Sequence, residues 1–144
     1  MTLDVHVVTP EREIWTGDAQ TVVAHGVDGD VGILTGHAPM MVQLAIGPLR
    51  VVRDGEPDFA TVVDGGFMHV TSSGPDDDGG ATRVDVLASN AELAADIDVE
   101  AARARAAELE QRLAQARDTE LADAEVATLK RELEKARVRI DLAG

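Results

Sequence analysis

The sequence predicts an α+β chain: an N-terminal antiparallel β-sandwich over residues 1–90, then a C-terminal antiparallel two-helix hairpin over residues 91–144. Three observations carry this. Up to about residue 90, short apolar runs are broken by Gly, Asp and Pro turns, the signature of strands. From Asp98 onward apolar residues recur at three- and four-residue steps, the signature of helices. All 5 prolines fall in the first part, whereas the second is rich in Ala, Glu and Arg.

The strands come in order. Leu3, Val5 and Val7 alternate with Asp4 and His6 and predict a half-buried strand that Pro10 ends. Further strands are expected at Ile14–Trp15, Thr21–His25, Val31–Leu34, Met40–Ala45, Leu49–Arg53, Ala60–Val63, Phe67–Thr71 and Arg83–Ala88. In the last, Val84, Val86 and Ala88 face one way and Arg83 and Asp85 the other. Turns are expected at Gly26, Asp28-Gly29, Gly47-Pro48, Asp54-Gly55 and Gly65-Gly66. Many short strands at this spacing favour a sandwich or barrel. The stretch 74–80, GPDDDGG, reads as a solvated hairpin tip rather than a calcium loop, because no EF-hand spacing follows it.

Two heptad seams follow. One runs through Val99, Ala102, Ala106, Leu109, Leu113 and Ala116, the other through Val126, Leu129, Leu133, Ala136 and Ile140. Asp98 is placed to N-cap the first helix, and Asp118-Thr119 to turn the chain between them. So short a connection makes the helices antiparallel neighbours. Half of the first seam is alanine, which buries far less than leucine, so the hairpin should be marginally stable alone.

Composition narrows the function. The formal net charge is -14, which disfavours nucleic acid and anionic lipid as partners. The chain has no cysteine, which excludes disulfides and thiolate metal sites. MTLDVHVVTP lacks the basic start and apolar run of a signal peptide, and no stretch is apolar enough to span a bilayer. An intracellular chain whose membrane association is indirect is therefore expected.

Little points to catalysis. His6, His25, His37 and His69 share no metal-ligand spacing, and neither HExxH nor HxxEH occurs. There is no GxSxG elbow and no phosphate-binding Gly-Lys-Ser/Thr loop. Asp28 and Asp30 are close enough to act as paired carboxylates, but Asp-Gly-Asp is more often a turn. No cofactor or metal is implied.

The informative segment is GDVGILTGHAPM, residues 29–40. It reads as an apolar strand bracketed by glycines and followed by a loop whose exit Pro39 fixes. The segment resembles the G-E/D-x-G-x-x-P-G-H-A-P signature of the epsilon subunit of the rotary, proton-translocating ATP synthase of bacteria. Other features agree in order: a first strand ending near Pro10, Ile14-Trp15-x-Gly17, Val63-Asp64-Gly65-Gly66-Phe67, the 88–97 exit ASNAELAADI, and a two-helix tail. The resemblance covers essentially the whole chain. It departs from the signature at Thr35, where the family usually has proline, and in a longer 74–80 turn.

The resemblance implies a non-catalytic central-stalk (rotor) subunit on the cytoplasmic face of the cell membrane. Its sandwich would bind the gamma subunit and the membrane rotor ring, with Asp30, Gly32, Gly36, His37, Ala38 and Pro39 at the contact. Its helices would fold down or extend toward the catalytic alpha and beta subunits and restrain hydrolysis. Lys130, Arg131, Arg137 and Arg139 would carry that contact, in a stretch 129–144 that is +2 within an acidic chain. Some members bind nucleotide through an Ile/Leu-Asp-x-x-Arg-Ala pattern. Ile97 and Asp98 match it, but Ala101 stands where arginine is needed and Arg103 falls two positions later, about 200° around a helix. Weak or absent nucleotide binding is therefore expected. Two rivals remain: a free-standing β-sandwich binding module with a coiled-coil dimerisation tail, and a small metal-dependent hydrolase.

Overall fold

The structure is a computed structural model and describes residues 2–72, 81–116 and 123–143. Among the described residues, eight strands precede two helices: β1 Leu3–Val8, β2 Glu13–Ala19, β3 Thr21–Gly26, β4 Gly29–Leu34, β5 Met40–Val52, β6 Phe59–Ser72, β7 Thr82–Ala88, β8 Ala91–Leu93, α1 Val99–Ala116 and α2 Asp123–Ala143. Contacts divide the chain into two units, Met1–Glu92 and Leu93–Gly144. The 74–80 turn and the Asp118-Thr119 turn lie outside the described residues.

The strands form one hydrogen-bonded path in the order β2-β1-β7-β6-β5-β3-β4, with β8 added to β6. Buried Leu3, Val5 and Val7 of β1, near one end of the path, join Val22 and Ala24 of β3 and Ile33 of β4, at the other, in one core cluster. The sheet therefore curls onto itself into two facing layers. Strand alternation drives this: β1 shows strict buried/half-buried alternation, and β7 buries Thr82, Val84, Val86 and Ala88 while turning Arg83 and Leu87 outward. The core is aliphatic. The aromatic pair Trp15 and Phe59, stacked at 5.4 Å and only partly buried, packs against it, and the Arg53 guanidinium lies 5.8 Å from the indole ring.

Two sequence expectations are corrected here. First, β1 and β7 run parallel, so the sandwich is not wholly antiparallel. Antiparallel pairing governs the rest of the path, from β1–β2 to β3–β4. Second, Gly47-Pro48 and Gly65-Gly66 are not turns. The four expected strands on either side of them merge into two long ones, β5 and β6, which pair in a single register from Met40↔Val70 to Val51↔Phe59. Glycine is needed there for close approach rather than for reversal. A Cβ on Gly47 would meet His25 Cβ at 2.5 Å, and one on Gly66 would lie 2.2 Å from the Leu87 carbonyl oxygen. Pro48 is exposed within β5, and Ala24 and His25 of β3 face the whole stretch Ala45–Leu49, a bulge that a proline tolerates.

In the helical unit, Ala106, Leu109, Leu133 and Ala136 are buried between α1 and α2, with Leu113, Leu129 and Ile140 packed against them. These are the central positions of both predicted seams. The Ala101 N–H donates to Asp98 Oδ1 at 3.0 Å, the predicted N-cap. Arg105 reaches Glu132 at 2.7 Å and Arg137 reaches Glu110 at 3.2 Å, so exposed ion pairs supplement a small apolar seam.

Gly66 has φ +111 and faces backbone atoms that cannot yield. Gly66→Ala is expected to cost about 3 kcal/mol or more, through combined backbone strain and overlap. Gly29→Ala, at φ +126 but in open space, should cost about 1–2 kcal/mol from strain alone. Denaturant unfolding of the two variants checks the difference; equal losses would mean the Gly66 crossing does not constrain the sheet.

Candidate partner-docking site

The 29–40 segment is built from the core outward. β3 and β4 form a hairpin in which Gly26 pairs with Gly29 and His25 with Asp30. Ile33 is fully buried and anchors β4, while Leu34 is 61% exposed. The chain then reverses: the His37 N–H donates to the Leu34 carbonyl at 3.1 Å, and Gly36 has φ +86. A bond from residue i+3 to residue i with positive φ at the third position defines a type II turn, which needs Gly there and favours Pro at the second position. The second position here is Thr35. The signature proline and this threonine therefore occupy the same corner, and the turn forms without the ring.

The loop is held at further points. The Gly36 N–H donates to Thr82 Oγ1 of β7 at 2.8 Å. His37 Nδ1 lies 2.8 Å from the Ala38 carbonyl, so the imidazole is fixed by its neighbour. Asp30 Oδ1 lies 2.6 Å from His25 Nδ1, and the Asp30 side chain is 76% exposed. A groove of about 200 Å³ lies between the β3–β4 turn and the start of β5, lined in part by Asp28, Asp30, Met40, Met41 and Gln43. Acidic and apolar groups thus share one rim. Val27, Leu34 and Met41 add exposed apolar surface to this part of the sheet.

Of the predicted docking residues, Asp30, Gly32, Gly36, Ala38 and Pro39 are exposed and His37 is half-buried. They lie on one continuous strand-and-loop segment. Asp30 is engaged by His25 rather than by His37, and neither His25 nor Thr82 was singled out from sequence. A signal for Thr82 existed: it shares the inward parity of Val84, Val86 and Ala88, so it is a polar residue on a core face.

On α2, Lys130 and Arg131 are exposed, Arg137 is paired with Glu110, and Arg139 is half-buried. Ile97 is buried, and the Asp98 carboxylate serves as a helix cap. Among the described residues no group of three His, Cys, Asp or Glu is placed to hold a metal ion, and no helix is long and apolar enough to cross a membrane.

Residues 2–94 match the family described as ATP synthase, Delta/Epsilon chain, beta-sandwich domain. The chain belongs to the ATP synthase epsilon-chain family. The epsilon chain of Brevibacillus brevis is 39% identical over 77% of this chain and 77% of its own length. That of Prochloron didemni is 35% identical over 100% of this chain and 98% of its own. A chain in the Euglena gracilis mitochondrial ATP synthase, in a structure of its OSCP/F1/c-ring assembly, superposes with a TM-score of 0.71, covering 95% of this chain and 78% of that one. At 24% identity that likeness is one of fold. The family match spans the sandwich and stops at Ala94, so within this epsilon-family chain the 29–40 segment lies inside the matched region and α1 and α2 lie beyond it.

Proposed function

We propose that the sandwich docks this epsilon-family chain onto the rotor of the ATP synthase through its 29–40 loop, and that the helices regulate the enzyme without catalysing anything themselves. The chain's membership of the ATP synthase epsilon-chain family supports this reading of it as a rotor-stalk subunit. The observation that carries the docking reading is the loop: the exposed Asp30 and the half-buried His37 stand on a backbone fixed by a type II turn and by the Thr82 bond. A surface ordered before binding loses little entropy on binding, and fixed geometry of this kind is what a docking loop needs. The partners proposed are the gamma subunit and the membrane rotor ring for the sandwich, and the catalytic alpha and beta subunits for α2. Membrane association is then indirect, on the cytoplasmic face.

The regulatory reading rests on α2. The bases Lys130, Arg131, Arg137 and Arg139 are set in a helix held to α1 by a seam whose buried residues are half alanine. The Arg137–Glu110 pair is more than half exposed on both sides. An exposed pair contributes about 0.2–1 kcal/mol, so an acidic partner surface can compete for the same guanidinium.

Replacing Asp30 and His37 together by alanine should weaken assembly into the ATP synthase while leaving the unfolding midpoint of the sandwich unchanged. Normal assembly and coupling of that variant would remove both residues from the interface. If the variant copurifies with nothing but itself, as wild type also would, the dimerisation reading replaces this one.

Ending the chain at Asp118, which removes α2, should preserve assembly and raise ATP hydrolysis by the complex. Neutralising Lys130, Arg131, Arg137 and Arg139 should reproduce much of the rise, and added salt should mimic it, since the contact is electrostatic. Unchanged hydrolysis after truncation would show that the hairpin does not inhibit; a silent charge variant alone would make the inhibition steric or apolar.

A further inference from the structure

We propose that Thr82 is the positioning residue of the docking loop: its buried hydroxyl on the core face of β7 holds Gly36, and through it sets the geometry of His37, Ala38 and Pro39. The proposal rests on the reading of that loop as the docking surface.

Thr82 is fully buried, and it continues the inward face of β7 set by Val84, Val86 and Ala88. A hydroxyl on such a face needs a hydrogen-bonding role, because a buried polar group without one is costly. Its Oγ1 accepts the Gly36 N–H at 2.8 Å from 46 residues away in sequence. β7 and β4 are not neighbours in the sheet; β6, β5 and β3 lie between them along the path. The bond therefore ties the loop leaving the edge strand β4 to the opposite part of the sheet, across the sandwich, and not along any ladder.

Thr35 explains why a tether matters here. In a type II turn the second residue takes φ near −60°, which proline supplies covalently and threonine does not. The turn still has Gly36 at φ +86 and the His37-to-Leu34 bond, but those are local interactions that break together when the loop opens. The Thr82 bond is the added restraint from outside the turn. It grips the residue between Thr35 and His37, so the imidazole keeps its bond to the Ala38 carbonyl and the loop leaves toward Pro39 in one direction. Thr82, being buried, need not touch a partner to act in this way.

The test compares Thr82→Val, which keeps the shape and removes the acceptor, with Thr82→Ser, which keeps the acceptor. Both are made in the full chain. Amide hydrogen exchange at Gly36 is followed by NMR, and affinity is measured for ATP synthase depleted of this chain. Thr82→Val should speed Gly36 exchange and weaken binding, each about five- to tenfold, the effect of one net hydrogen bond. Thr82→Ser should return both values toward wild type. Unchanged Gly36 exchange in Thr82→Val would overturn the proposal, as would equal impairment by Thr82→Val and Thr82→Ser, which is the mark of packing. Faster exchange with unchanged affinity would also overturn it. In that last case the Asp30→Ala, His37→Ala chain separates the two ideas: weak assembly there leaves the docking surface standing and removes only the role of Thr82.

Discussion

The sandwich depends on a backbone crossing that only glycine permits. At Gly66 the β6 chain passes so close to β7 that an added Cβ would sit 2.2 Å from the Leu87 carbonyl. At Gly47 an added Cβ would sit 2.5 Å from the Cβ of His25 in β3. Across these two positions the long paired strands keep a single register along their shared ladder. The path folds back so that β1 and β4 share a common core. With 2% aromatic residues the chain has few large side chains to fill a wide interior, so close backbone approach and tight aliphatic packing take their place. The core that results is deep: Leu3, Val5, Val22, Ile33, Val51, Met68, Val70, Val84 and Val86 are all fully buried.

The loop inherits its precision from that closure. Thr82 can reach Gly36 only because the path folds back and sets β7 opposite the end of β4. The edge strand β4 contributes exposed Asp30 and Leu34 on one side of its pleat and buried Ile33 on the other. One element thus anchors in the core and presents surface at once. The hairpin unit follows a different logic. Its buried seam is small and half alanine, and its flanking ion pairs are exposed, so its packing is weak relative to that of the sandwich. A tightly packed sandwich and a weakly packed hairpin suit the proposed division of labour, docking by the first and regulation by the second.

Much of this was legible in the sequence. Alternation of Val84, Val86 and Ala88 with Arg83 and Asp85 located β7, and the three-four spacing around Leu109 and Leu133 located the hairpin seam. Asp98 was legible as a cap because the helix period begins just after it. The misreadings have one cause. Gly47-Pro48 and Gly65-Gly66 carry turn chemistry, but the structure uses them for close approach within strands, and a local pattern cannot distinguish the two. The parallel β1–β7 pair was hidden for a similar reason: partner and direction are set by the whole path, and β1 and β7 are separated by most of the sandwich sequence. In the 29–40 loop, Gly29, Gly36 and Pro39 announced its shape. The Thr82 tether and the His25–Asp30 pair did not show, because each needs a distance in space rather than a spacing in sequence.

The central claim is that the loop after β4 faces the rotor in the assembled enzyme. Since the chain has no cysteine, Ala38→Cys places a unique thiol at an exposed position on that loop. Carrying a short photoactivatable cross-linker on that thiol, the chain is assembled into ATP synthase and irradiated, and the products are identified by mass spectrometry. The account predicts cross-links to the gamma subunit or to the membrane rotor ring. Full assembly with cross-links only to solvent or to the chain itself would contradict it.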